Sequence, residues 1–225
     1  MSMNSFASPG ATAPSIGRSG MVASSQALTS EVGLAILKQG GNAVDSVIAM
    51  AAMQVLVEPF STGLGGDAFA IVCRDGTLTG LNASGAAPRH LGTDRLTIFR
   101  SGIADHGWES VTTPGQVAGW CDLHQRFGTL PLGELFAPAI HHAKSGFRIT
   151  SAAEKAWKFA CPPSEKTNRE FRDLFFPNGA APQVGETFAN PDLASSLEII
   201  GKNHQMMGNL EKMNFLEEKK CCRIW

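Results

Sequence analysis

The feature that most constrains this chain is a fifteen-residue stretch, AVDSVIAMAAMQVLV at residues 43–57. Read as a helix, it is apolar on almost every side: Val44, Val47, Ile48, Met50, Met53, Val55 and Leu56 leave no polar face. A helix of that kind has to sit at the centre of a core, covered by neighbours. Its longest apolar run, residues 47–57, includes Gln54 and falls well short of the ~20 residues that cross a bilayer, so it reads as a core helix and not as a membrane span. The one charge inside it, Asp45, lies in the first turn, where free N–H groups and the positive end of the helix dipole favour an acid.

The elements around this helix can be read in order. Residues 21–25 are a short apolar start with the character of a strand. Thr29 or Ser30 is expected to cap a helix that has Glu31 in its first turn and Val32, Ala35, Ile36 and Leu37 on one face. Gly40 and Gly41 are expected to stop it, because glycine accepts the left-handed conformation at a helix end. Glu58-Pro59 ends the central helix, and residues 60–69 follow as a loop with glycines at 63, 65 and 66. Residues 69–73 and 78–82 read as two strands joined at Asp75-Gly76, a pair that tolerates the positive φ of a tight hairpin. A helix pair followed by a hairpin gives an α+β chain, not a repeated βαβ one.

Farther on, Pro114 and Gly128 bracket a helix with Val117, Trp120, Leu123 and Phe127 on one face. Pro131 and Gly146 bracket another, carrying Leu135, Ile140 and Ala143, which Pro138 is expected to kink or split. Residues 152–159 and 193–200 are further helices, and residues 161–191, rich in proline and charge, read mostly as loop.

Composition sets limits on partners. The net charge is −1, whereas a protein that binds nucleic acid or an anionic membrane carries a basic excess; neither is expected as a partner. Five cysteines, an odd number with no C-x-x-C, exclude a disulfide scaffold and read as buried thiols in a reducing compartment. Residues 1–19 are expected to be a flexible arm without the apolar core of a secretory signal, and with no membrane span the chain is expected to be cytoplasmic or otherwise intracellular. Residues 201–225 differ from the rest. Eight of these 25 residues are charged, against 31 of the preceding 200, which marks a tail outside the domain of residues 20–200.

The residues that could carry chemistry do not form a set. The glycines at 63–66 precede a strand instead of following one, and no Lys-Ser/Thr follows them, so they are not a nucleotide-binding loop. They suit close backbone approach, to a packed helix or to a ligand. His141 and His142 are adjacent, point about 100° apart on a helix and cannot share an ion, so no metal site is expected. Thr112 and Thr113 read as turn and cap residues, Glu154 and Lys155 as a surface pair, and no serine or cysteine sits in a nucleophile elbow.

Five blocks taken together do point to a family. They are residues 20–53 (GMVASSQALTSEVGLAILKQGGNAVDSVIAMAAM), 57–72 (VEPFSTGLGGDAFAIV), 81–89 (LNASGAAPR), 113–147 (TPGQVAGWCDLHQRFGTLPLGELFAPAIHHAKSGF) and 190–200 (NPDLASSLEII). Their order and spacing resemble the N-terminal, large-subunit half of the gamma-glutamyltransferase (glutathione hydrolase) family. The resemblance implies part of an αββα sandwich of the N-terminal nucleophile hydrolase type, large-subunit portion only. It further implies an acyl-enzyme mechanism on glutathione and other gamma-glutamyl amides. The nucleophile would be a threonine at the start of a small subunit cut from the same precursor, with its own amine as base. No cofactor is implied.

Two departures from the family pattern shape the expectations. Residues 201–225 no longer resemble the family, and nothing in the 225 residues matches the nucleophilic threonine, so no catalytic residue is assigned here and the chain alone is expected to be inactive. The alternatives are a non-catalytic truncated remnant, or a partner subunit that docks with a separately made small-subunit half. The second departure is at Ser84, which stands where the family has an arginine for the substrate's α-carboxylate. A serine offers one hydrogen bond and no bidentate charged pair. Ser84 and Arg89 are therefore the candidate substrate-binding residues, and an acylase of the same fold with another acyl substrate is a further alternative. Without its second half the hairpin edge would be open, and the chain alone is expected to be poorly soluble or partly molten.

Overall fold

A computed structural model describes residues 16–87, 110–160, 169–207 and 223–224. The central helix forms where the sequence places it, as α2 (Ala43–Val57), with α1 (Ala27–Lys38) before it. The start of α2 is a reciprocal capping box: the Asn42 side chain accepts from the Val44 and Asp45 N–H groups, and the Asp45 carboxylate accepts from the Asn42 N–H at 2.9 Å. Ile48, Ala49, Ala52, Met53 and Leu56 are buried, while Val47 is 49% exposed, so one strip of α2 faces outward.

The start of α1 differs from expectation. Gln26 is the N-cap and makes no side-chain cap bond, the helix begins two residues before Thr29, and its first turn holds no acid. Thr29 is buried within the helix, where Val32 and Ile36 also face inward. Residues 21–25 form no strand. Gly40, at φ +94°, ends α1 as expected.

The hairpin is β1 (Ala68–Arg74) and β2 (Thr77–Ala83), antiparallel with Phe69 opposite Asn82 and Ile71 opposite Gly80. Asp75 and Gly76 have φ of +51° and +77°, the two positive values of a type I′ turn. On the far side of β2, the short β5 (Arg223–Ile224) pairs at Leu81 and Asn82. Alternation divides the hairpin sharply. Leu81 and Ala83 are buried and Ala68, Ala70 and Val72 pack against the core, whereas Phe69, Ile71 and Leu78 on the other face are 68%, 82% and 68% exposed. Cys73 lies on that outer face and is exposed, contrary to the expected buried thiols.

Helix α3 (Gln116–Phe127) contacts both the hairpin and α2. It can do so because Gly119 leaves room: a Cβ there would lie 2.6 Å from that of Ala83. Helix α4 (Leu132–Ser145) runs unbroken through Pro138, which neither splits it nor displaces Leu135, Phe136 and Ala139 from the core. Beyond β3 (Phe147–Arg148) come α5 (Ser151–Ala160), α6 (Arg169–Phe175), β4 (Thr187–Phe188) and α7 (Pro191–Met207). The stretch expected to be loop therefore contains α6 and β4. Aromatic packing organises it: the Trp157 ring lies 5.0 Å from Phe188 and 6.0 Å from both Phe60 and Phe175, while Phe171 lies 4.7 Å from Phe175. Glu154 pairs with Lys158, one turn away, and not with Lys155.

Helix α7 runs through Gly201, where the tail was expected to begin. A Cβ at Gly201 would lie 3.2 Å from the Cα of Gly133. This glycine lets α7 approach α4 closely and does not end the helix.

Candidate functional site

Ser84 follows β2 directly, and a network of backbone contacts fixes its surroundings. The Ser84 N–H donates to Asn82 Oδ1 at 3.0 Å, and the Ser84 carbonyl accepts from the Thr112 hydroxyl at 3.3 Å. Next, the Thr113 N–H donates to the Ala86 carbonyl at 2.9 Å. Gly85 has φ +70°, and a Cβ there would lie 1.7 Å from the Thr113 carbonyl oxygen. Gly115 is equally confined, since a Cβ on it would lie 2.3 Å from the Ala83 carbonyl oxygen. Only glycine fits either place, so residues 83–87 and 112–115 form two strips of main chain in direct contact. Thr112 and Thr113, expected as turn and cap residues, instead bond to the Ser84 segment in extended chain, and Gly115 is the N-cap of α3. Arg89, the other candidate, lies outside the described residues.

The glycine loop closes the third side. Gly66 accepts through its carbonyl from the N–H groups of Gly115 and Gln116, at 3.1 and 2.9 Å, and its own N–H donates to the Gly63 carbonyl at 2.9 Å. The loop thus seats the start of α3 against the Ser84 segment. Its backbone approaches a packed helix, one of the two uses the sequence left open.

Two acids at the ends of α2 lie in polar surroundings. Asp45 is fully buried. Burial raises its pKa, but bonds from the Thr129 hydroxyl, the Asn42 and Thr129 N–H groups and the backbone of Leu130 outweigh this and hold it below the usual carboxylate range. It ties the start of α2 to the turn between α3 and α4, a structural task. Glu58, at the end of α2, is likewise held low: burial raises its pKa, and hydrogen bonding with Gln26, Ser25, Gln54 and Ser61 more than offsets that. The Cys121 thiol is pushed up to about 11 by burial and by the neighbouring Asp122 charge, so it is a thiol and not a nucleophilic thiolate at neutral pH.

Among the described residues no group of three His, Cys, Asp or Glu side chains could hold a metal ion. His141 and His142 stack edge to face with ring centroids 5.3 Å apart. No helix of the described residues is long and apolar enough to cross a membrane. A cavity of about 580 Å³ opens beside Thr129–Glu134 and the Leu197–Lys202 part of α7; none of the Ser84 segment lines it.

A helical layer on one face of an antiparallel hairpin, with a glycine-tightened loop cluster at the end of the strands, is the large-subunit part of an N-terminal nucleophile hydrolase sandwich. The gamma-glutamyltranspeptidase family model matches residues 29–207. Glutathione hydrolase proenzyme 1 of Schizosaccharomyces pombe is 35% identical over 189 residues, which is 83% of this chain and 30% of that protein. The crystal structure of Helicobacter pylori gamma-glutamyltranspeptidase superposes with a TM-score of 0.75 at 26% identity, covering 85% of this chain and 57% of that one. A cephalosporin acylase structure from Bacillus halodurans superposes with a TM-score of 0.70 at 33% identity, covering 95% of this chain and 43% of that one. The chain belongs to the gamma-glutamyltranspeptidase family. It spans about a third of the length of the curated relatives it matches. The match continues to residue 207, the last residue of α7.

Proposed function

We propose that this chain supplies the large-subunit portion of an acyl transferase or hydrolase that cleaves gamma-glutamyl amides such as glutathione through an acyl-enzyme. The attacking hydroxyl belongs to a threonine at the start of the small-subunit portion, which these 225 residues do not contain. That hydroxyl adds to the gamma-carbonyl carbon while the threonine's own amine takes its proton. The carbon–nitrogen bond breaks, the proton passes to the departing amine, and water or an acceptor amine then releases the acyl group. The large subunit's task is to bind and orient the donor. The observation that carries this reading is the family match across residues 29–207, with the Ser84 segment held rigidly at the end of β2.

The exposed face of Phe69, Ile71 and Leu78 supports the incomplete sandwich. A sheet face this apolar needs a second layer, and the small-subunit half of the same precursor is the partner proposed for it. The chain alone is then inactive. The assay is release of the anilide from a gamma-glutamyl anilide by the purified chain: no rate above background is expected, and a measurable one would overturn the proposal.

Ser84 favours a second reading within the same fold. A single hydroxyl grips an α-carboxylate less well than a guanidinium, so an acyl donor without that group, of the kind a cephalosporin acylase takes, is the alternative. In a two-part enzyme containing this chain, Ser84→Arg is expected to raise kcat/KM for the gamma-glutamyl anilide. No gain would remove Ser84 as the determinant of acyl choice.

A further inference from the structure

Helix α2 ends against its own electrostatics. Glu58 is the C-cap residue, so its carboxylate stands at the negative end of the helix dipole, where a cation is favoured. A residue that breaks a local preference is held there by something else. Here the Glu58 carboxylate accepts from Gln26 Nε2 at 2.8 Å on one oxygen and from the Ser61 hydroxyl at 3.2 Å on the other. Gln26 is itself buried, and its Oε1 accepts from the Thr150 hydroxyl at 3.2 Å. The start of α1 and the end of α2 therefore meet at this carboxylate, and Gln26 carries the junction on to the start of α5.

The same residue launches the glycine loop. The Glu58 carbonyl accepts from the Ser61 and Thr62 N–H groups at 2.9 and 3.0 Å. From there the loop passes Gly63 to Gly66, whose carbonyl holds Gly115 and Gln116, and those residues abut the Ser84 segment. We infer that Glu58 is a positioning residue: held by Gln26 and bonded to Ser61, it sets the loop of residues 61–66 that seats the start of α3 against the Ser84 segment. It touches no substrate. Its link to donor binding rests on the proposed function, because that reading makes the Ser84 segment the donor-facing one.

Amide hydrogen exchange on this chain tests the geometry apart from any activity. Glu58→Ala is expected to speed exchange at Gly115 and Gln116 about ten-fold, while Phe136 and Ala139 in α4 exchange as before. Glu58→Gln keeps an acceptor for Ser61, and a turned Gln26 amide can accept from its new NH2, so exchange within about two-fold of the parent is expected. Ser61→Ala, which removes only the side-chain contact on the loop side, is expected to speed Gly115 and Gln116 in the same direction and carries the test if Glu58→Ala does not fold. Unchanged exchange at Gly115 and Gln116 in Ser61→Ala, or equal acceleration at Phe136 and Ala139 in every folded variant, would overturn the inference. Either result leaves the enzymatic reading untouched, just as an inactive two-part enzyme would leave the exchange result standing.

Discussion

Around α2 the apolar surface is covered on all sides but the Val47 strip, whereas on the β1–β2 hairpin it is covered on one side only. The helical layer hides its own core: α1, α3 and α4 enclose α2, and α7 closes over α4. The hairpin gives α3 a packed face and leaves Phe69, Ile71 and Leu78 in water. The helices cover most of α2 within the chain, whereas the outer face of the sheet stays open, the face that the proposed second layer would cover.

Three substitutions can break or sharpen that contrast. The largest effect belongs to the helical layer: Phe136→Ala, at a fully buried site packed edge to face on Trp120, should cost about 3–5 kcal/mol, read from the urea midpoint. A smaller loss would mean that the layer is less tightly closed than its burial indicates. Next comes the joint between elements. Asp45→Asn should cost about 1–3 kcal/mol, since it weakens both the capping box and the bonds from Thr129. This effect carries a pH signature. The folded pKa of Asp45 is depressed, so its stabilisation is present above the unfolded value of about 3.9 and is lost as pH falls through the folded pKa. The parent's urea midpoint should therefore drop on acidification below about pH 4, and that of the Asp45→Asn variant should drop less; parallel curves would place the stabilisation elsewhere. The smallest effect is on the open face, where Ile71→Ser should change stability by no more than about 0.5 kcal/mol while reducing self-association measured by light scattering. A large loss there would show that the outer face already has a partner within the chain.

The same contrast explains what could be read from residues alone. Helix α2 was legible to its last residue because local chemistry marks both ends: Asp45 in the first turn and Glu58-Pro59 at the stop. The hairpin was legible because Asp75-Gly76 admits only a narrow set of turns. What stayed hidden was decided across the fold. Helix α6 lies in a proline- and charge-rich stretch, and it is Trp157 and Phe188, distant in sequence, that give Phe175, and Phe171 beside it, something to pack against. Gly201 looked like a boundary because charge rises and the resemblance stops there, yet α7 runs through it and packs its backbone on the Cα of Gly133. At the site, the Gly85 and Gly115 contacts and the Glu58 bond to Gln26 depend on folding back over tens of residues, and no spacing rule announces them. Only the departure at Ser84 was visible, and that came from the resemblance.

The position of Cys73 has a practical consequence. It shares a face with Phe69 and Ile71, while Cys121 is half-buried with its proton firmly held. A maleimide followed by peptide mapping would therefore tag position 73 readily and position 121 slowly. The first of these tags becomes a reporter: if the proposed second layer settles over the strands, labelling at Cys73 should fade, and assembly would be observable by mass before any turnover is measured.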